Sequence, residues 1–179
     1  MTASGSTKWT IDKAHSEIQF KVKHLVIATV TGQFNEFDAS LETTGEDLTG
    51  ASAAFTAKVA SISTNNSDRD NHLKSADFFD AENHPEIRFV STGFKKIDDN
   101  RYRMTGNLTI RATTKEVELE VEAGGTVVDP WGNTKAGFEI TGRINRFDYG
   151  LHWNVATETG GLMVGPEVRL ALNIEMMKI

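Results

Sequence analysis

Apolar and polar side chains alternate with a period of two along most of the chain. Ile18, Phe20 and Val22 alternate with Gln19, Lys21 and Lys23, and Val117, Leu119 and Val121 alternate with Glu116, Glu118, Glu120 and Glu122. This is the pattern of strands with one face in water. Tyr102, Met104, Leu108 and Ile110 share one phase, as do Phe138, Ile140 and Ile144, and the last run places Val168, Leu170, Leu172, Ile174 and Met176 on one face. The phase slips by one between Phe34 and Phe37, which predicts a bulge there. Turn signals at Thr44-Gly45, Asp98-Asp99-Asn100, Gly124-Gly125 and Asp129-Pro130-Trp131-Gly132 separate the runs. No internal repeat and no low-complexity linker interrupts the pattern, so residues 1–179 are expected to form a single domain.

About eight such strands must bury their apolar faces together, as a sandwich or as an antiparallel up-and-down barrel, and long runs joined by tight turns favour the barrel. The chain is thus expected to be all-β. Ala53, Ala57, Gly32, Gly106 and Gly142 fall in phase with the large apolar residues. Small inward residues either leave room for a slender ligand or let opposite walls interlock, and spacing alone leaves both open.

Composition narrows the function classes. The chain is 39% apolar and 25% charged, ordinary for a globular protein, with a net charge of -6 and no cluster of Lys and Arg to hold nucleic acid. With no cysteine, disulfides, thiolate metal sites and a Cys nucleophile are excluded. The start, "MTASGSTKWTID", has neither a basic region nor an apolar one, and no window resembles a membrane span. The sequence therefore reads as cytoplasmic, and as periplasmic if an export signal has been removed.

The segment "NNSDRDNHLKSADFFDAENHPEIRF", residues 65 to 89, concentrates Asp68, Asp70, His72, Asp77, Asp80 and His84. It invites a metal or proton-transfer reading. The motifs of zincins, serine hydrolases and P-loops are all missing, however, and a calcium-loop register from Asn66 fails where Asn71 replaces the turn glycine. The alternative is a lid: Ser67 or Asp68 caps a short helix, Leu73, Phe78 and Phe79 give it an apolar side, and Pro85 returns the chain to the extended run from Ile87. One or two such short helices would cap the barrel ends, with no metal and no catalytic residue.

The chain resembles the bacterial YceI-like polyisoprenoid-binding proteins over almost its whole length. The resemblance rests on "WTIDKAHSEIQFKVKHL", "FNEFDASL", "DRDNHLKSADFFDAENHPEIRF", "GNLTIRATTKEVELEVE", "INRFDYGLHWN" and "GGLMVGPEVRLALNIE". Glu116 stands where the family usually has Pro. The resemblance implies a lipocalin-like barrel whose pore holds a long isoprenoid chain, with a quinone or prenyl-type head near the mouth, and it implies no catalytic activity and no catalytic cofactor. The protein would serve as a carrier in transport, a store or a sensor. Two other readings stay in play: an enzyme acting on a bound prenyl compound, and a stress-related small-molecule or interaction module without lipid. Transient membrane contact and a homodimer are compatible with the sequence.

A tunnel roughly 25 Å long would result from strands of this length. By phase, its lining is expected to include Ile18, Phe20, Val22, Phe34, Phe55, Ala57, Met104, Leu108, Ile110, Phe138, Ile140 and Leu170. His24, inward at a strand end, is the first head-group candidate, followed by Arg69, Asp70 and His72. With no basic cluster along the chain, the head is expected to be neutral or weakly polar.

Overall fold

The computed structural model describes residues 5–158 and 161–179. Its strands are β1 (Thr7–Ile11), β2 (Glu17–His24), β3 (Ala28–Phe34), β4 (Phe37–Thr43), β5 (Ser52–Lys58), β6 (Ile62–Ser63), β7 (Glu86–Lys96), β8 (Arg101–Ile110), β9 (Thr113–Val128), β10 (Thr134–Asn145) and β11 (Val164–Lys178). One α-helix, α1 (Ser67–Lys74), and short 3-10 turns at Lys13–His15, Val59–Ser61 and Arg146–Tyr149 complete the described elements.

The alternating runs close into a barrel. Strand β11 pairs with β10 on one side, and on the other with β2 along most of its length and with β1 at its C-terminal end. Strands β1 and β2 are thus two halves of one barrel strand. Likewise β3 and β4 are halves of the next, interrupted at Asn35 and Glu36 where the phase slip predicts a bulge, and β5 continues into β6 across the 59–61 turn. Counted this way, eight antiparallel strands follow one another around a closed ring. Among the described residues every strand except the two-residue β6 is paired on both sides, which removes most of the usual site of edge-to-edge aggregation.

The break between β1 and β2 is stitched to the wall. Ser16 Oγ donates to the Asp12 carbonyl and accepts from the Glu175 amide, and Lys135 Nζ on β10 lies 2.5 Å from Asp12 Oδ2. Lys135, with His15 beside it, holds the Asp12 carboxyl down to about 2.

The inward phase supplies the core. On β8, Tyr102, Met104, Leu108 and Ile110 are buried while Arg101, Arg103 and Asn107 are exposed. Each such apolar side chain contributes roughly 1.5–3 kcal/mol by leaving water. The inward glycines behave differently from small residues that open a lumen. A Cβ at Gly32 would lie 2.3 Å from the Phe20 ring, one at Gly106 2.3 Å from the Phe89 ring, and one at Gly142 2.3 Å from Leu119 Cδ2. Large side chains from the adjacent strand lie over these glycines, so the space is filled from within the same wall, as when an aromatic ring covers a cross-strand glycine.

Gly124-Gly125 is not the turn that the sequence suggests. Both lie inside β9, where the register with β10 shifts opposite Gly137. Gly125, with φ +96, absorbs a bulge instead, and the strand runs on to Val128.

Two barrel ends follow from the connections. The far end carries the start of β1, the end of β11 and the links after β4, β7 and β9, with Leu48 and Ala51 buried there. The lid end carries the β2–β3 turn, α1 and its flanks, the β8–β9 turn and the segment from Arg146 to Met163. Asn66 caps α1 by accepting from the Arg69 amide at 3.0 Å, displacing the caps expected at Ser67 or Asp68. The β2–β3 turn is unusual. Leu25 and Val26 both have positive φ, +53 and +66, and the Ile27 amide donates to the His24 carbonyl. Mirror-image hairpin turns of this kind ordinarily carry Asn-Gly, and a β-branched residue there costs on the order of 1–3 kcal/mol. Among the described residues, no helix is long and apolar enough to cross a membrane.

Candidate functional site

A cavity of about 500 Å³ runs through the barrel interior. That is within the range of sites for small ligands. Its wall contains every lumen and head-group residue expected from the sequence except Asp70. The Asp70 carboxylate instead accepts from both the amide and the hydroxyl of Thr64, at 2.8 and 2.6 Å, and so clasps α1 to β6. The expectation of a ligand contact at Asp70 is therefore corrected; its side chain holds the lid in place.

Ala57 stands in the wall but is only 1% exposed, so neighbouring side chains cover its methyl. The inward residues that keep a partly open face are chiefly Phe20 and Val22 on β2, Phe138, Ile140 and Ile144 on β10, and Leu170 and Leu172 on β11, with Ala53 and Phe55 across the lumen. Most of those on β7 and β8 (Ile87, Phe89, Met104, Leu108 and Ile110) are buried, Phe94 being the partly open exception. The void therefore runs against the β10–β11–β2 side.

The lid end is covered unevenly. Helix α1 and the residues after it seal the side toward β6 and β7: Phe79 meets Phe34 edge-on at 6.2 Å, and Phe78 is buried. His72 sits between Phe78 and Trp153, with ring centroids 5.1 and 4.6 Å away, and its Nε2 lies 2.9 Å from Asp77 Oδ2. These contacts latch the lid to the Arg146–Met163 segment. Toward the β2–β3 hairpin, Val22, His24, Val30, Met163 and Val164 line the cavity and stay partly exposed. The cavity opens on this side.

The basic and imidazole residues of the wall all belong to the lid end: His24, Arg69, His72 and Arg146, with Lys23 beside them on the outer phase of β2, exposed and donating from Nζ to Thr29 Oγ1. No Asp or Glu is among them, although the whole chain carries a net charge of -6. Folding thus brings basic groups from positions scattered along the chain to one end of the cavity. Arg69 donates from Nε to Thr64 Oγ1 and from Nη2 to the Thr64 carbonyl, both at 2.7 Å.

Arg146 is the functional-site residue that the sequence reading missed. It is 3% exposed, and burial lowers its pKa from the ordinary arginine value. Its guanidinium donates to four carbonyls, those of Leu151, Trp153, Val164 and Gly165, at 2.6 to 3.1 Å, and lies 4.8 Å from the centroid of Phe147. All these partners are neutral, and among the described residues no carboxylate forms an ion pair with it. A signal was present: Phe138, Ile140, Gly142, Ile144 and Arg146 continue one phase, so the arginine falls on the inward face.

Asp12, His15 and Glu175 bring potential metal-ligand atoms within 4.8 Å of one another, away from the cavity and from the 65–89 segment. Lys135 ion-pairs with Asp12 there, which accounts for the grouping as a salt-bridge cluster.

Comparison with known proteins places these features in context. Residues 9–176 match the family described as YceI-like domain. A UPF0312 protein of Staphylococcus epidermidis is 42% identical over 170 residues, covering 94% of this chain and 96% of its own. The YceI protein of Campylobacter jejuni is 34% identical with a TM-score of 0.73, covering 93% of this chain and 95% of its own. A polyisoprenoid-binding domain from Saccharophagus degradans shares the fold, with a TM-score of 0.68 at 12% identity, covering 94% of this chain and 97% of its own.

Proposed function

The chain belongs to the YceI-like domain family, and we propose that it binds a long-chain isoprenoid in the barrel lumen, tail toward the far end and head at the lid end. The observation that carries this reading is the polarity of the cavity: aliphatic and aromatic along its length, cationic and imidazole only at the partly open end. A fold neighbour is named as a polyisoprenoid-binding domain, which agrees with it. Each buried CH₂ contributes about 0.8 kcal/mol, so ten to fifteen of them supply roughly 8–12 kcal/mol against the cost of immobilising the lipid.

The mouth suits a head with acceptor oxygens, a quinone or a prenyl diphosphate, because His24 lines it and the two arginines beside it, held by Thr64 and backbone carbonyls, keep the local charge positive. The lid covers one side and leaves the other open, which suits a carrier that exchanges its cargo. Binding without turnover is the expected activity: Arg69, His72 and Arg146 are committed to Thr64, Asp77 and backbone carbonyls, and the rest of the wall is almost entirely apolar.

The test is lipid extraction from purified protein followed by mass spectrometry, with uptake of a fluorescent prenyl analogue by the delipidated protein. An isoprenoid at near-stoichiometric ratio, and saturable uptake, are expected. A delipidated, folded protein that takes up no prenyl analogue would exclude the reading. Salt separates the head classes: attraction to a diphosphate weakens with ionic strength, whereas a quinone shows little change.

A further inference from the structure

The β2–β3 hairpin presents three consecutive aliphatic side chains to solvent. Ile27 is 86% exposed, Val26 74%, and Leu25 is exposed as well. Val155 and Leu162, both exposed, belong to the neighbouring Arg146–Met163 segment, which is joined to the tip where the Leu25 amide donates to the Met163 carbonyl at 2.8 Å. The tip is apolar where a soluble turn wants Asn-Gly, and Val26 adopts a conformation that a β-branched residue rarely takes. Neither feature helps the fold.

Charge complements the apolar tip. Arg143, Arg169 and Lys21 stand side by side on β10, β11 and β2, and among the described residues only Glu167 forms ion pairs with them, 3.8 Å from Arg143 and 3.2 Å from Arg169. Lys21, Arg169, Val26 and Leu162 border one outer depression beside the hairpin. Below the tip lie Val22, His24, Met163 and Val164, the open side of the tunnel.

We infer that this rim is a membrane-docking edge: the tip of the β2–β3 hairpin inserts its aliphatic side chains into the interface of an anionic bilayer while the basic row meets the headgroups, setting the tunnel mouth against the lipid. The inference rests on the isoprenoid-binding reading, since it supplies the route by which a water-insoluble tail enters and leaves. The net charge of -6 does not oppose it, because at physiological salt charges beyond about 8 Å are screened and the local sign decides. The other exposed apolar hairpin, with Trp131 at 83% exposure beside Val127 and Val128, is at the far end, with Asp129 at its own turn and Glu122 and Glu139 paired on the strands behind it. It lies at the far end of the tunnel, and Lys135, the cation beside it, is ion-paired with Asp12.

The test is flotation with phosphatidylcholine vesicles with and without phosphatidylglycerol, comparing wild type with the Leu25→Asn, Val26→Gly, Ile27→Thr variant. Asn-Gly is the dipeptide that the turn prefers, so the variant should melt no lower than wild type. None of the three residues lines the tunnel, so uptake of a fluorescent prenyl analogue from detergent solution should be unchanged. Binding to anionic vesicles should fall by about tenfold for each lost aliphatic anchor. Lys21→Gln with Arg169→Gln should weaken binding to anionic vesicles and leave the weak binding to neutral ones unchanged, whereas Trp131→Ser should alter neither.

Vesicle binding retained by the tip variant, or lost on Trp131→Ser, overturns the inference and leaves lipid binding standing. A tip-dependent dimer formed without vesicles also overturns it, by giving the surface to a second copy. If wild type takes up no prenyl analogue from detergent, the binding reading fails first and this inference with it.

Discussion

Replacing Ala53 by Phe should shorten the tunnel without unfolding the barrel, whereas the same replacement at Ala57 should destabilise it. Both residues lie inward on β5, and Ala53 pairs with Leu41 and Ala57 with Phe37. They differ in what lies above the methyl. Ala57 is 1% exposed and covered, so a ring there must displace packed neighbours, at a cost of about 1–3 kcal/mol. Ala53 keeps a partly open face on a cavity of about 500 Å³, near the far end of the lumen. A ring there enters void, buries new apolar surface and leaves stability unchanged or slightly raised. It also excludes the end of the ligand tail. If it displaces three or four CH₂ groups, the loss is about 2.4–3.2 kcal/mol, close to a hundredfold in affinity. The assay pairs thermal unfolding of the delipidated proteins with titration of short and long fluorescent prenyl analogues. Ala53→Phe should discriminate against the long analogue and spare the short one. An equal loss for both lengths, or an Ala53→Phe variant that melts as low as Ala57→Phe, would show that the lumen is a filled core at this level and refute the reasoning.

Two further outcomes follow from the polar contacts. Arg146→Met removes donors from four carbonyls and leaves them short of partners in a buried setting, so the melting temperature should fall by several degrees or more; Arg146→Lys should not restore it, because one ammonium has three donors where the fork serves four acceptors. For Asp12, the folded pKa of about 2 lies below the ordinary carboxyl value of 3.8, so the carboxylate's contribution is present above about pH 4 and is lost as pH falls toward 2. An acid titration of the melting temperature should show this loss in wild type and much less of it in Asp12→Asn or Lys135→Met. Equal acid sensitivity in all three proteins would remove the role assigned to this ion pair.

The alternation of apolar and polar residues determined most of what lines the tunnel. In a closed barrel, the inward phase of each strand is the lumen wall, so a purely local period identifies Ile18, Phe20, Phe138, Ile140 and Leu170 without knowledge of the register. The Phe34 to Phe37 slip and the lid that ends at Pro85 were legible for the same reason: each is set by a few neighbours in the chain. What the tertiary structure decided depends on residues far apart in sequence. Whether Gly32 opens space turns on the Phe20 ring across the ladder, and Gly124-Gly125 became a bulge because β10 continues alongside it. Asp70 looked like a ligand contact until Thr64 took up its carboxylate. The basic groups at the mouth show the difference most plainly: His24, Arg69 and Arg146 are dispersed along a chain of negative net charge, and only closure of the barrel brings them to one end of the cavity. Strand phase is a short-range property of the backbone, whereas cavity shape and local charge are set by which strands the closed ring makes neighbours.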